Sequence, residues 1–353
     1  MRNGKSILCS VVLLAFGVAS AADKFDFVYA WGVVRDEATA RAFAEIGVTD
    51  VRAQGEQGAL AARKYGMRPY CSFTPPGPHP QVLDAAAQRH FDAVNAPELR
   101  TTLSREDHAR EIDRRRKAAN CRFGGEPVEK VDTCLQMIPC FLSDTNCAMA
   151  KAQIDRTLMS NPLAEGISFD YIGYVNFRSC ECGECKARLT AYLAKRGLDE
   201  SEANRNLFFR EALVGYVNAM VGYAKGRRPG LKITIHLYPV FLPDPLYGSD
   251  LTADYIQQTV AWYFPWPDEK ISDYTRKVVG ATCAPGCVQV PFVGLSATEG
   301  RALAFKSPER LDHELRLILK SGGRGLGVCN GQDMLKSGYR EVFMKYAARG
   351  GSR

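Results

Sequence analysis

Short apolar segments rich in β-branched and aromatic residues alternate with amphipathic stretches along most of this chain. Helical periodicity, with apolar residues every three or four positions, marks stretches such as 37–46 and 308–320. The apolar segments are predicted strands, at 25–33, 49–53, 68–73, 166–172, 231–238, 260–264, 288–294 and 325–330. Alternation of this kind is typical of βα units in a parallel sheet. Eight units in one chain predict an α/β protein of the closed (β/α)8 TIM barrel type rather than an open sheet.

The alternation is interrupted once, by a long segment at 74–147 after the third predicted strand. Prolines open this insertion, and it carries the cysteines Cys121, Cys134, Cys140 and Cys147. Loops that follow barrel strands emerge on the C-terminal face, where barrel enzymes hold their active sites. An insertion of this length there predicts a lid or a small subdomain. No linker marks a second domain, so 22–353 is predicted to be one barrel domain.

The first residues have the three parts of a secretory signal peptide. Arg2 and Lys5 precede an apolar run at 7–18, and small residues follow at 19–21. The apolar run is shorter than the roughly 20 residues that a membrane-spanning helix needs. We therefore expect a cleaved signal peptide at 1–21 rather than an anchor. The mature protein is expected to be secreted or periplasmic, without membrane insertion.

The charge of the chain is mildly positive. The formal net charge is +7, spread along the sequence apart from one basic cluster at 114–117. No interleaved aromatic motif accompanies this cluster, so we interpret it as a solvated helix face and expect no nucleic-acid partner. The positive charge leaves anionic substrates open.

The cysteines indicate a structural site. Because an exported protein meets an oxidising compartment, some of them are expected to form disulfides. Cys180, Cys182 and Cys185 have a Cys-X-Cys-X2-Cys spacing, which strains a disulfide between the first two but suits a tetrahedral zinc ion. The upstream insertion then supplies the fourth ligand, Cys140 or Cys134. A structural zinc and a set of disulfides that join the same two segments both remain open.

An acidic residue ends the fourth predicted strand. The apolar run at 166–169 leads directly into Asp170. An acid at the C-terminal tip of a barrel strand lies in the mouth of the barrel, where catalytic groups are found. Asp170 is therefore the first catalytic candidate. The alternative is that it caps the following turn or holds a basic side chain.

Aromatic and polar side chains are predicted near several strand ends. Flat rings with a polar edge suit a sugar, which has an apolar face and a rim of hydroxyl groups. His236 is also suited to orienting a hydroxyl group or assisting proton transfer. Packing is the alternative role for each of these side chains, but together they predict a substrate-binding cleft. They are Trp31, Tyr171, Tyr174, His236, Tyr238, Trp262, Tyr263 and Asn330.

One stretch of the chain resembles a known family. An acid at the fourth strand tip, the Cys-X-Cys-X2-Cys after it and the predicted helix at 186–193 resemble the family 42 β-galactosidases and related barrel glycoside hydrolases. The resemblance is motif-specific over about 166–193. It implies a general acid/base at the strand tip, a structural zinc on the clustered cysteines, and no catalytic cofactor. In that family the acid is Glu preceded by Asn, whereas this chain has Phe169 and Asp170.

Glycoside hydrolysis ordinarily uses a second carboxyl group. The resembled family carries it on the seventh strand, which has no acid here, and the nearest acid is Glu299 in the following loop. Asp333 and Glu56, after the eighth and second strands, are rival candidates. Each of the three also fits a helix cap or a solvated loop.

These features together predict a secreted glycoside hydrolase that acts on a poly- or oligosaccharide by carboxylate acid/base catalysis. A carbohydrate-binding barrel without catalysis is the main alternative, because the family's Asn-Glu pair and strand-seven acid are missing. A metal-dependent hydrolase is disfavoured, because no cluster of histidines with ligand spacing accompanies His236. An interaction scaffold built on the cysteine-rich insertion is the last alternative.

Overall fold

Eight parallel strands close into a barrel in the computed structural model, which describes residues 24–82, 122–123, 126–127, 138–174, 179–237, 247–262, 266–299 and 302–346. Each strand pairs with the next in chain order, and the last pairs with the first. The strands are β1 Phe27–Val34, β2 Asp50–Ala53, β3 Arg68–Phe73, β4 Gly166–Phe169, β5 Lys232–Leu237, β6 Tyr255–Ala261, β7 Val288–Gly294 and β8 Gly325–Cys329. The predicted (β/α)8 barrel is confirmed. The predicted signal peptide lies outside the described residues.

Eight α-helices surround the barrel within the described residues. Several begin at a side-chain cap, as where Asp36 accepts a hydrogen bond of 2.8 Å from the Thr39 N–H. None of these helices is long and apolar enough to cross a membrane. They are α1 Glu37–Glu45, α2 Gly55–Lys64, α3 Asp144–Ser160, α4 Gly183–Arg196, α5 Glu202–Arg227, α6 Asp268–Gly280, α7 Pro308–Lys320 and α8 Tyr339–Tyr346.

Short elements complete the C-terminal half. An antiparallel pair, Ser296–Glu299 with Ala302–Phe305, follows β7, and a 3-10 helix at Gly331–Leu335 follows β8. A further 3-10 helix at Tyr247–Asp250 precedes β6. The first two elements extend from the C-terminal ends of their strands, so they border the mouth of the barrel.

The strands have two packed faces because successive side chains point to opposite sides of a strand. Outward residues such as Val51 and Val328 are buried against the helices. The inward residues form a second cluster that fills the barrel. Near the N-terminal end, Arg68 pairs with the buried Asp50 at 2.9 Å, and the rings of Phe27 and Tyr255 stack at 4.4 Å. These contacts fill the barrel below the mouth.

Strand β6 differs from the sequence prediction of 260–264, because it spans Tyr255–Ala261. Its first half contains Gln257 and Gln258, and both are fully buried. Gln257 accepts a hydrogen bond of 2.7 Å from Trp31 Nε1 and donates one of 2.5 Å to Thr234 Oγ1. Gln257 points into the barrel and Gln258 to the opposite face of the sheet, and these two buried polar residues concealed the strand, since buried positions are usually apolar.

The ends of the cysteine-containing insertion lie side by side. Pro80 and Pro139 form an antiparallel bridge, and the Cys140 N–H donates to the His79 carbonyl at 2.9 Å. The Gln81 N–H donates to the Ile138 carbonyl at 3.1 Å. The insertion therefore leaves the C-terminal end of β3 and returns to it through one paired base.

Candidate functional site

The mouth of the barrel brings together an acid, a histidine and aromatic rings from several strands. Asp170 follows β4, and its Oδ1 lies 3.6 Å from Nδ1 of His236 on β5. The His236 side chain is 3% exposed and that of Asp170 is 23% exposed. The fold thus brings together two residues that the sequence analysis proposed separately, a catalytic acid at the fourth strand tip and a substrate-binding histidine on the fifth strand. Solvent or a ligand reaches the carboxyl group rather than the ring.

Hydrogen bonding fixes the tautomer of His236. Its Nε2 lies 3.0 Å from Thr259 Oγ1, and that hydroxyl donates to the Leu237 carbonyl at 3.2 Å. Because the hydroxyl proton is used on Leu237, Thr259 accepts and Nε2 carries a proton. Nδ1 is then the ring atom that faces the Asp170 carboxyl group, 3.6 Å from its Oδ1.

Aromatic rings surround the His236 side chain of this acid–histidine pair. The His236 ring stacks on Phe292 at 4.1 Å, and the rings of Trp31 and Trp262 lie 5.7 Å and 5.6 Å from it. The Trp31 indole is oriented by its hydrogen bond to Gln257. Phe292 was not predicted as a site residue, because its apolar strand β7 gives no sign of which residues face inward. Trp31 is 5% exposed, Trp262 9% and Phe292 1%, so a sugar ring in the mouth would contact the exposed edges of the two tryptophans.

A turn in the left-handed region directs Asp170 into the mouth. The Asp170 N–H still pairs with the Phe73 carbonyl at 3.0 Å, which continues the β3–β4 ladder. Tyr171 has φ of 56°, and its N–H donates to Asp170 Oδ1 at 2.9 Å. The chain leaves the ladder at this residue, and the carboxyl group is held by the backbone. The predicted turn-capping role and a role in the mouth are therefore compatible.

The tip of β6 is held by a buried ion pair. Lys306 Nζ donates to the Ala261 carbonyl at 2.9 Å and pairs with Glu314 at 2.7 Å, with both side chains almost fully buried. Burial lowers the pKa of Lys306, and the attraction of Glu314 opposes that effect. Because Ala261 directly precedes Trp262, this contact fixes the backbone from which the tryptophan extends.

The other predicted acids lie in a 3-10 helix, in the first turn of a helix and in a hairpin. Asp333 lies in the 3-10 helix after β8, where Lys336 Nζ is 2.7 Å from its Oδ1. Glu56 is exposed in the first turn of α2. Glu299 lies in the hairpin after β7, but its side chain is outside the described residues, as are Tyr238 and Tyr263.

Asn330 and Tyr174 were also predicted to bind substrate. Asn330 directly follows β8 through a cis peptide bond, and Cys329 Sγ lies 3.2 Å from its Oδ1. Tyr174 does not line the mouth. Its side chain is buried, and its hydroxyl donates to the Phe209 carbonyl at 2.8 Å. After Tyr171 the chain turns outward against α5, so Tyr174 is corrected to a core residue.

Four cysteines form a cluster beside this turn. Their sulfur atoms all lie within 4.8 Å of one another, and the residues are Cys140, Cys180, Cys182 and Cys185. Sγ of Cys140 is 3.4 Å from that of Cys185 and 3.7 Å from that of Cys182. A disulfide measures about 2.05 Å, so these sulfurs are not bonded. Tetrahedral zinc with Zn–S bonds of about 2.3 Å sets its sulfurs about 3.8 Å apart. The cluster therefore fits a metal ion.

The electrostatics of the cluster favour thiolate at Cys180 and the protonated thiol at Cys140 and Cys185. Hydrogen bonds from the Cys140 and Cys185 thiols lower the pKa of Cys180 to about 2. The Val82 N–H also points at Cys180 Sγ, at 3.4 Å. The shared protons raise the pKa of Cys140 to about 12 and raise that of Cys185 as well. Thiolate is the form that binds metal, and backbone N–H groups stabilise it. The alternative fourth ligand, Cys134, lies outside the described residues.

The cluster joins two segments that border the mouth. Cys140 belongs to the returning end of the insertion, whereas the other three lie between Asp170 and the first turn of α4. Gln81 Nε2 adds hydrogen bonds to the carbonyls of Pro139 at 3.3 Å and Gly173 at 3.1 Å. The cysteines are thus placed to hold the base of the insertion against the loop that carries Asp170.

The sequence matches no protein-family model and no curated protein. Among solved structures it is similar to the PgaB (BpsB) glycoside hydrolase domain from Bordetella bronchiseptica, with 9% identity and a TM-score of 0.52 over 91% of this chain and 99% of that chain. It is also similar to α-L-fucosidase isoenzyme 2 from Paenibacillus thiaminolyticus, with 12% identity, a TM-score of 0.48 and coverage of 90% and 48%. A cold-adapted β-galactosidase from Rahnella sp. R3 has 11% identity, a TM-score of 0.45 and coverage of 88% and 50%. At 9% identity the likeness to the PgaB domain concerns the barrel fold alone.

Proposed function

We propose that this protein is an exported glycoside hydrolase that acts on a poly- or oligosaccharide, with Asp170 as a catalytic carboxyl group. The observation that carries the proposal is the carboxyl group of Asp170 facing His236 in a mouth walled by Trp31, Trp262 and Phe292. The barrel fold is shared with the glycoside hydrolase domain of PgaB. Barrels serve many chemistries, so the proposal rests on the site rather than on the fold.

Asp170 is proposed to act as the general acid. Its protonated carboxyl group would transfer the proton to the glycosidic oxygen as the bond from that oxygen to the anomeric carbon breaks. The Tyr171 N–H donates to Asp170 Oδ1 at 2.9 Å and would stabilise the resulting carboxylate, while Nδ1 of His236 faces the same carboxyl group at 3.6 Å. A water molecule then adds to the anomeric carbon, and its proton returns to Asp170. The aromatic walls would position the sugar ring by stacking.

The second carboxyl group is proposed to come from the loops after β7 or β8. Glu299 belongs to the first and Asp333 to the second. Asp333 lies 2.7 Å from Lys336 Nζ, and a carboxylate in either loop would suit a nucleophile or a base that activates water. No cofactor is proposed for catalysis. The four clustered cysteines are proposed to hold a structural zinc, which would add no catalytic step because a closed site has no free coordination position.

Export is proposed from the signal-like pattern at 1–21, which ends in small residues. The mature chain is then expected to begin at Ala22 and to be found outside the cytoplasm. N-terminal sequencing of the protein purified from its native host checks both statements. A chain in the cytoplasm that keeps residues 1–21 would contradict them.

Turnover of a saccharide panel tests the catalytic proposal. The purified protein is expected to release sugars from at least one polysaccharide. Asp170→Asn removes the transferable proton and is expected to lower kcat by about 100- to 10000-fold. Asp144→Asn is the matched control, since its carboxyl group is 92% exposed on α3, and it should keep full activity.

Turnover that survives Asp170→Asn would end the assignment of this residue. A carbohydrate-binding protein without catalysis is the second candidate, favoured because Asp333 is engaged by Lys336 rather than by the acid–histidine pair. Saturable sugar binding without turnover by either form of the protein would select it.

A further inference from the structure

Arg52 is a charged residue in the mouth that the catalytic proposal does not use. It lies on β2, two residues after the inward-facing Asp50, so strand alternation turns it into the barrel one layer closer to the mouth. Its guanidinium carbon lies 5.4 Å from the centre of the Trp31 ring, and its Nη2 lies 3.4 Å from the Trp31 carbonyl. The group is therefore beside one wall of the proposed sugar site.

Arg52 has no counter-ion among the described residues. Its Nε is buried and makes no hydrogen bond, and the long contact to Trp31 is the hydrogen bond found for its guanidinium. The other inward arginine, Arg68, is matched by Asp50 at 2.9 Å, and the buried Lys306 is matched by Glu314 at 2.7 Å. Folded chains seldom leave a partly buried cation unmatched, because an unsatisfied donor is costly. A partner from outside the chain would supply the missing anion.

The spacing relates Arg52 to the proposed catalytic acid. Arg52 pairs in register with Tyr70 of β3, and Tyr70 pairs with Gly166 of β4, four residues before Asp170. Two strand spacings of about 4.8 Å and four residues of about 3.3 Å each separate the backbones of Arg52 and Asp170 by about 16 Å, with Asp170 nearer the mouth. Both side chains extend into the barrel and span part of this distance, so the gap between their charged groups accommodates one sugar ring with an acidic substituent. A bond breaking at Asp170 would therefore leave a charged group of the same or the adjacent sugar within reach of Arg52.

We infer that Arg52 binds the carboxylate of a uronic acid, and hence that the substrate is an anionic saccharide. The inference rests on the proposed function for the sugar, and on the unmatched guanidinium for the charge. Guanidinium is planar, carries five donors and matches a carboxylate through two parallel hydrogen bonds. The net charge is +7 for the full chain, and it stays positive without Arg2 and Lys5 of the proposed signal peptide, which also favours the approach of an acidic polymer.

Matched pairs of monosaccharides test the inference by binding alone. Glucuronate is compared with glucose, and galacturonate with galactose, because each pair differs in whether the sixth carbon is a carboxylate or a hydroxymethyl group. Affinity is measured by titration with tryptophan fluorescence and saturation-transfer NMR. At least one uronate is expected to bind about tenfold or more tightly than its neutral partner.

Substitutions assign this preference to Arg52. In Arg52→Gln the two members of each pair should bind with affinities within about twofold of each other. Arg52→Lys should keep part of the preference, because lysine retains the positive charge but lacks the two parallel donors of guanidinium. Arg316→Gln on α7, whose side chain is 54% exposed, is the control for the same change in net charge and should behave as wild type. Thermal unfolding of each variant shows that it is folded.

The outcomes separate this inference from the proposed function. Equal binding of uronates and neutral sugars by the wild type, or a preference that persists in Arg52→Gln, overturns the inference and leaves glycoside hydrolysis standing. A preference for uronates that depends on Arg52, in a protein that hydrolyses no saccharide, supports the inference and rejects the proposed catalysis.

Discussion

At the scale of single residues, the mouth depends on a glycine, Gly294, because its lack of a side chain leaves room for Trp262. Gly294 ends β7, and a Cβ atom built there would lie 1.7 Å from Cδ1 of Trp262. Real Cβ atoms do not approach other atoms so closely, so the tryptophan occupies the space that any larger residue would need. The position of Trp262 is therefore set from two sides, by Gly294 and by the lysine contact at Ala261.

Gly294→Ala is expected to displace Trp262 from the mouth. Overpacking of this kind costs about 1–3 kcal/mol of stability, and the altered wall should weaken sugar binding. The change is measured as a shift in tryptophan fluorescence and near-UV circular dichroism together with the urea midpoint. Gly280→Ala is the control, because nothing lies within 4 Å of its added Cβ atom. An unchanged tryptophan signal in Gly294→Ala would contradict the expectation.

Some residues of the site were predictable and others were not. Asp170, His236, Trp31 and Trp262 follow from the expectation that strand ends meet in the mouth, and the structure brings these four together. Phe292 was missed because a fully apolar strand conceals which of its residues face inward. Arg52 was missed for the opposite reason, because an arginine at a strand end is usually a surface residue.

At the scale of elements, one acid joins three strands at the end of the barrel opposite the mouth. Asp254 precedes β6, and its Oδ2 accepts from the Ile233 N–H of β5 at 3.0 Å. Its own carbonyl accepts from the Val288 N–H of β7 at 2.8 Å. Lys225 and Lys232 pair with the carboxylate at 3.1 Å and 3.0 Å. Burial alone would raise the pKa of Asp254, but these donors outweigh it and lower the pKa.

A lowered pKa predicts a pH-dependent contribution to stability. The charged form of Asp254 is stabilised by folding, so its contribution is present above the ordinary carboxyl value of 3.8 and is lost as the pH falls through the lowered value. Asp254→Asn is expected to lower the free energy of unfolding by about 1–2 kcal/mol at pH 7. Urea unfolding from pH 7 to pH 3 measures whether the difference narrows.

Asp273→Asn is the matched control for this prediction. The carboxyl group of Asp273 is 63% exposed on α6 beside Arg276, and an exposed ion pair contributes at most about 1 kcal/mol. A loss in Asp254→Asn that stayed constant over this pH range would contradict the expectation.

The sequence predicted the limits of some strands accurately and those of others poorly. Strands β3 and β7 were predicted with their observed limits, because turn residues border strongly apolar runs. Strand β6 was placed too late, because Gln257 and Gln258 are polar at buried positions. Buried strand residues are usually apolar, but Gln257 is hydrogen-bonded inside the barrel, so a polar residue there is compatible with burial.

At the scale of the whole molecule, the cysteine cluster is expected to couple metal binding to stability. We expect one zinc ion per chain and reduced thiols at Cys140, Cys180, Cys182 and Cys185. Removal of zinc by a chelator leaves thiolates crowded without their counter-charge, so the melting temperature should fall by about 2–4 °C for each kcal/mol lost. Metal analysis, thiol counting and thermal unfolding measure these expectations.

Cysteine variants separate the cluster from the other thiols. Cys182→Ser should lower the zinc content and the melting temperature, whereas Cys283→Ser, outside the cluster, should leave the zinc content unchanged. Absence of zinc with all four clustered cysteines oxidised would show that disulfides take its place. The sequence left this choice open, because spacing alone does not reveal that the four sulfurs converge.

The paired base of the insertion has a consequence for how this chain tolerates change. Because Pro80 and Pro139 already lie side by side, the segment between them closes a loop whose ends are fixed by the barrel. Each doubling of such a loop costs only about 0.6 kcal/mol of closure entropy. The insertion can therefore lengthen, shorten or be exchanged during evolution or in the laboratory while the barrel beneath it keeps its shape.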